Sequence, residues 1–116
     1  MGDYYQHGIG VDKDEKEAVR YYKLAADQGN ADAQYNLGAC YHHGIGVTKD
    51  EKEAVRLYKL AADQGDALAQ YCLGECYENG IGVDKDGEDA VHYYKLAADQ
   101  GDADAQANVR RMRITK

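Results

Sequence analysis

Proline, tryptophan and phenylalanine are absent from this chain of 116 residues, so all 11 of its aromatic rings are tyrosines. Tyrosine carries a large apolar body and a polar tip, which suits both packing between helices and an exposed recognition face. Cysteine is scarce, at positions Cys40, Cys72 and Cys76. An odd count without framework spacing argues against a disulfide scaffold and for a reducing compartment, so a cytoplasmic location is expected. Lys and Arg number 14 against 21 Asp and Glu, for a formal net charge of -7. A nucleic-acid or anionic-membrane surface needs basic residues to dominate, so neither is an expected partner. No apolar run is long enough to span a bilayer. No stretch shows the alternation of a strand, and no signal peptide is visible.

What the chain does have is a repeat. The segment Gly8 to His43 returns as Gly44 to Asn79 and begins again at Gly80, 36 residues on each time. A fixed period in this range marks a solenoid of stacked supersecondary units, each needing only its neighbours. The length allows one domain. Its expected division is a partial helix over 1–7, repeats over 8–43 and 44–79, and a last repeat over 80–116.

Each repeat reads as two helices. Asp14, Asp50 and Asp86 follow the Gly-x-Gly-Val segments, and Glu17, Glu53 and Asp89 stand three residues later. Asp at the N-cap with an acid at the third helical position resembles a capping box, and the acids suit the positive end of the helix dipole. Ala54, Tyr58, Ala61 and Ala62 then share one helical face, and Gly65 ends the helix. These are the B-helices, predicted over 14–28, 50–64 and 86–100. Asn30, Asp66 and Asp102 are the next N-caps. Ala33, Leu37, Gly38 and Tyr41 form one face of the A-helices, predicted over 31–43, 67–79 and 103–115. Gly44 and Gly46 break the helix and supply positive-φ positions.

Ala67-Leu68-Ala69-Gln70 through Gly74 and Tyr77, followed by Gly80-Ile81-Gly82-Val83, resembles the Sel-one-like repeat family, relatives of the tetratricopeptide repeats. The match runs over nearly the whole chain. The resemblance implies an all-α fold, a right-handed superhelical α/α solenoid of stacked antiparallel helix pairs. It also implies an adaptor or scaffold for protein complexes, non-catalytic and without a cofactor. One branch of the family is cysteine-rich and secreted, with a disulfide from each B-helix to the following A-helix. Those cysteine positions are Ala62 and Gln70 here, so the hydrolase activity claimed for that branch, of β-lactamase type, is a remote alternative. A structural or engineered repeat module without a dedicated ligand is a nearer one.

At the two ends the pattern fails. Leu37, Gly38 and Tyr41 become Val109, Arg110 and Arg113 in the third A-helix. A long charged side chain where Gly38 and Gly74 let a following B-helix approach predicts a capping helix that solvates the stack. At the other end Met1, Gly2 and Tyr5 align with Leu37, Gly38 and Tyr41, so the first A-helix lacks its front half, and self-association through this end is expected.

The two full copies differ only at Asp12/Thr48, Tyr21/Leu57, Asn30/Asp66, Asp32/Leu68, Asn36/Cys72, Ala39/Glu75, His42/Glu78 and His43/Asn79. Four of these pairs fall on the stripe 32, 35, 39, 42 and 43 of the A-helix, which avoids the packing residues. By analogy with tetratricopeptide repeats this stripe faces a concave groove. The expected partner-binding residues are His7, Asp32, Tyr35, Ala39, His42 and His43. The groove continues through Leu68, Tyr71, Glu75, Glu78 and Asn79 to Arg111. Asp3, Gln6, Asp104 and Ala107 complete the line. Tyr35 and Tyr71 would anchor a protein or peptide partner, and the acids beside them suit a basic or mixed peptide.

Other motifs reduce to structure. The Gly-x-Gly segments follow helices rather than strands and lack the P-loop lysine, so they are inter-helix turns. Asp84 to Asp89 has the wrong spacing for a calcium loop and reads as helix capping. His7 and His43 sit roughly 10 Å apart at helix-packing distance, too far to share a zinc ion. The cysteines read as small buried hydrophobes. No singular constellation of nucleophile, base or metal ligands stands out.

Overall fold

The computed structural model describes residues 9–114, with side chains from Asp14 to Arg113. Six α-helices and no strand occur among these residues. They are α1 Ile9–Asp27, α2 Ala31–His43, α3 Glu51–Asp63, α4 Ala67–Asn79, α5 Gly87–Asp99 and α6 Ala103–Ile114. Helices α1, α3 and α5 are the B-helices, and α2, α4 and α6 the A-helices. Each helix packs chiefly on its neighbours in sequence, as the units of an all-α solenoid do.

The helix starts follow the local chemistry. Asn30, Asp66 and Asp102 accept from the backbone N–H of Ala33, Ala69 and Ala105 at 2.8, 2.9 and 2.8 Å. Asp50 and Asp86 do the same for Glu53 and Asp89 at 3.1 Å. Each bond satisfies one of the donors that a helix start leaves without a partner. Only half of the expected capping box forms. The Asp50 N–H donates to Tyr41 O at 2.8 Å, so Glu53 has no N-cap donor to reach back to and pairs with Arg56 instead.

The first B-helix departs from expectation. A loop over Gly8–Lys13 and an N-cap at Asp14 are expected, yet α1 already covers residues 9–13 and Asp14 lies within it. In the later copies the loop is tied to a complete A-helix ahead of it. Ile45 N–H donates to Cys40 O and Asp50 N–H to Tyr41 O. The equivalent anchors, Tyr4 and Tyr5, lie outside the described residues, as do the partial helix expected over 1–7 and the self-association expected there.

Close approach explains the glycines that recur. Gly46 has φ 74°, and a Cβ there would stand 2.7 Å from the Glu15 carbonyl oxygen. A Cβ at Gly38 would meet the Tyr58 ring at 2.9 Å, and one at Gly74 the Tyr94 ring at 2.5 Å. These two rings are the largest fully buried side chains, each 1% exposed. At the corresponding place in α6 stands Arg110, which is exposed.

The core runs in layers. Val19, Ala33, Leu37, Cys40 and Leu57 join α1, α2 and α3. Val55, Tyr58, Ala69, Leu73 and Cys76 join α3 and α4, and Ala90, Tyr94 and Val109 join α5 and α6. Glutamines tie the layers together. Gln34, Gln70 and Gln106 each donate to a carbonyl near the end of the preceding B-helix, at Ala26, Ala62 and Ala98. Gln34 and Gln70 in turn accept from Gln64 and Gln100 of the next repeat at 2.7 and 2.9 Å. Buried amides with both ends paired remove a desolvation cost that unpaired ones would impose.

Candidate functional site

The face formed by α2, α4 and α6 is floored by the two buried tyrosines of the B-helices. Tyr58 leans on Tyr35 with ring centroids 5.9 Å apart, and Tyr94 leans on Tyr71 at 5.5 Å. The rings of both pairs are tilted, at 34° and 51°, with centroids within the range that aromatic pairs favour. Tyr35 and Tyr71 are half-buried, so each presents part of its ring outward from a rigid base.

The buried hydroxyls need partners, and the two layers supply different ones. Tyr58 Oη lies 3.2 Å from His42 Nδ1. Tyr94 Oη donates to Glu78 Oε1 at 2.8 Å. His42 also stacks on His43 at 4.4 Å between centroids. Burial, and then the neighbouring His43, hold His42 below its ordinary pKa. Glu78 is met by Arg111 of the next A-helix, with Nη1 at 2.7 Å from Oε2. The Arg111 hydrogen bond holds the Glu78 carboxyl below its usual range.

Glu75, one helical turn before Glu78, is shifted the other way. Burial pushes its carboxyl up, the Tyr71 hydroxyl beside it opposes this, and the charge of Glu78 adds to the rise. Glu75 also acts on Tyr35 across the helix pair. Cys72 lies beside the Tyr35 and Tyr58 hydroxyls, and burial raises its thiol to about 11. Cys76 is raised to about 12 by the same cause. Thiols held this high carry little thiolate at neutral pH.

The structure thus gathers Tyr35, His42, Tyr71, Glu75, Glu78 and Arg111 into two connected groups. His43 joins through its stack on His42. Ala39 is half-buried, while Asp32, Leu68 and Asn79 are exposed on the same helices; none of these four is tied into the hydrogen-bonded groups. His7 lies outside the described residues. Sequence reasoning placed Tyr58 on the packing face of its B-helix, did not single out Tyr94, and overlooked both hydroxyls. The recurrence of a tyrosine rather than a leucine at that buried place was the available signal. Asn108, which donates to Tyr71 Oη at 3.5 Å, was missed too. It shares its register with Asn36 and Cys72, one of the eight differing pairs. No three His, Cys, Asp or Glu side chains converge as metal ligands among the described residues, and no described helix is long and apolar enough to cross a membrane.

The Sel1 repeat model matches residues 1–30, 31–66 and 67–102. No curated protein matches the sequence. Among solved structures, a Sel1 repeat protein from Oxalobacter formigenes superposes with a TM-score of 0.80 at 41% identity, over 93% of this chain and 44% of that one. A protective antigen of uropathogenic Escherichia coli displaying an SLR fold gives 0.79 and 42%, over 90% of this chain and 22% of that one. Cysteine rich protein B of Helicobacter pylori gives 0.73 and 28%, over 77% of this chain and 67% of that one. The chain spans less than half the length of the first two relatives. Sel1 repeats are repeat-protein folds that generally serve as protein-interaction scaffolds. With three matched repeats and this shared architecture, the chain belongs to the Sel1 repeat family.

Proposed function

We propose that this chain is a non-catalytic scaffold that docks a partner peptide or helix along the face of α2, α4 and α6. The observation that carries this reading is the repeated tyrosine pair. Tyr35 on Tyr58 and Tyr71 on Tyr94 present two half-buried rings from rigid supports, while the polar groups beside them change from His42 to Glu78. Tyrosines preordered in this way lose little entropy on binding and are favoured as interface anchors. The high thiol pKa values at Cys72 and Cys76 support a non-catalytic reading, as does the use of His42 and Glu78 to satisfy buried hydroxyls.

The test is peptide selection from a displayed random library, followed by mapping of the selected peptides on the protein by NMR. Shifts concentrated on Tyr35, Tyr71 and their neighbours, and binding lost in Tyr35→Ala/Tyr71→Ala/Glu75→Ala, would support the groove. Selected peptides that map to the B-helices, or bind that triple variant as well as wild type, would sink it.

A further inference from the structure

Two carboxylates stand one turn apart on α4, and only one of them has a cation. Arg111 reaches back from α6 to Glu78 with Nη1 2.7 Å from Oε2 and Nη2 3.0 Å from Oε1, a two-pronged guanidinium–carboxylate pair. Glu75 has no such partner. The groups that act on it are the Tyr71 hydroxyl and the like charge of Glu78. It is half-buried; Tyr71 stands one turn before it on the same face of α4, and Tyr35 of α2 is near enough to feel its charge.

We infer that Glu75 receives an arginine side chain of the docked peptide, its guanidinium set between Tyr35 and Tyr71. This rests on the groove reading above and assigns it a partner chemistry. Charge complementarity is the warrant. A half-buried carboxylate facing only a hydroxyl and another acid gains most from a cation brought in from outside. A planar guanidinium also stacks on aromatic faces and is more weakly hydrated than an ammonium, so the tyrosine walls favour Arg over Lys. The chain itself shows the geometry one turn away, where Arg111 meets Glu78 close to the Tyr94 hydroxyl.

Two immobilised peptide libraries test this, identical except for the central residue, arginine in one and its neutral isostere citrulline in the other. Wild type is expected to be retained about tenfold better by the arginine library, the size of a charge-assisted hydrogen bond. Glu75→Gln is expected to retain the two equally, and raised salt to narrow the wild-type preference. Equal retention of both libraries by wild type, with loss of both in Tyr71→Ala, would overturn the arginine assignment and leave the groove standing. Retention of neither library by wild type, or of both by wild type and folded Tyr71→Ala alike, would remove the groove and the assignment with it.

Discussion

In the layer behind α2, the buried Tyr58 hydroxyl ends beside His42; one repeat further on, behind α4, Tyr94 donates to Glu78. The rings are equally buried and lean on equivalent tyrosines at similar distances. Everything that shapes the backbone is shared, and the group that satisfies the hydroxyl is not. An imidazole closes one layer, and a carboxylate paired with an arginine of the next repeat closes the other. The difference shows how a repeat varies its surface without disturbing its stack. The hydroxyl accepts or donates, so it tolerates a partner of either kind, and only the exposed side of that partner changes the face.

The comparison breaks most sharply at the glycines. Gly74→Ala drives a Cβ to 2.5 Å from the Tyr94 ring, against 2.9 Å for Gly38→Ala at Tyr58. Overpacking at a buried ring costs about 1–3 kcal/mol, partly offset by the higher helix propensity of alanine. Urea denaturation should show Gly74→Ala as the more damaging of the two, and equal losses would mean that the layers relax alike.

The glutamines come next. Gln70→Ala removes a buried amide and its bonds to the Ala62 carbonyl and the Gln100 amide, each of which keeps a bond to Gly65, at a cost of about 1 kcal/mol. Gln106 makes the equivalent bond to Ala98 but is exposed, so Gln106→Ala should cost less than about 0.5 kcal/mol. Denaturation midpoints of the two variants check this, and a larger loss in Gln106→Ala would contradict it.

Acid should separate the two hydroxyl partners. His42 has its folded pKa lowered, so the unfolded chain takes up that proton first. Its contribution is present above the ordinary histidine value of about 6.5 and is lost as pH falls through that value towards the folded one. Glu78 is also lowered, so its contribution persists above the ordinary carboxylate value of about 4.3 and is lost only below it. Melting temperature against pH should therefore show two steps. His42→Gln should remove the upper step and Glu78→Gln the lower.

The smallest effect is expected at Glu75, whose shift has the opposite sign. A raised folded pKa in an acid means that the charge costs stability above that pKa. Glu75→Gln should raise the melting temperature slightly at pH 7, and the gain should vanish as pH falls through the carboxylate range. A loss at pH 7 would show that Glu75 already has a favourable partner.

Much of the architecture was legible because its causes are local. Asn30, Asp66 and Asp102 bond to amides three residues away, and Gly44 and Gly80 turn the chain at the A-helix ends in left-handed geometry. The A-helix boundaries follow directly. The helical conformation of residues 9–13 was not legible, since the same segment forms a loop in the two later copies. Of the candidate site, the stripe containing Tyr35, His42, Tyr71, Glu75 and Glu78 could be marked by comparing copies within the chain. The tyrosines beneath it could not, because a buried ring and a buried ring with a working hydroxyl look the same in a hydrophobic pattern.

The sequence by itself determined the period, the helices, their caps and the places where small residues admit a neighbour, because each depends on residues within a turn or two. Tertiary structure alone decided who meets whom across the stack. His42 finds Tyr58 from 16 residues away, Gln34 finds Gln64 from 30, and Glu78 finds Arg111 from 33. Two acids one turn apart thereby acquire opposite shifts. Glu78 lies within reach of the next helix's arginine, whereas Glu75 sits beside Tyr71 with its charge unmatched.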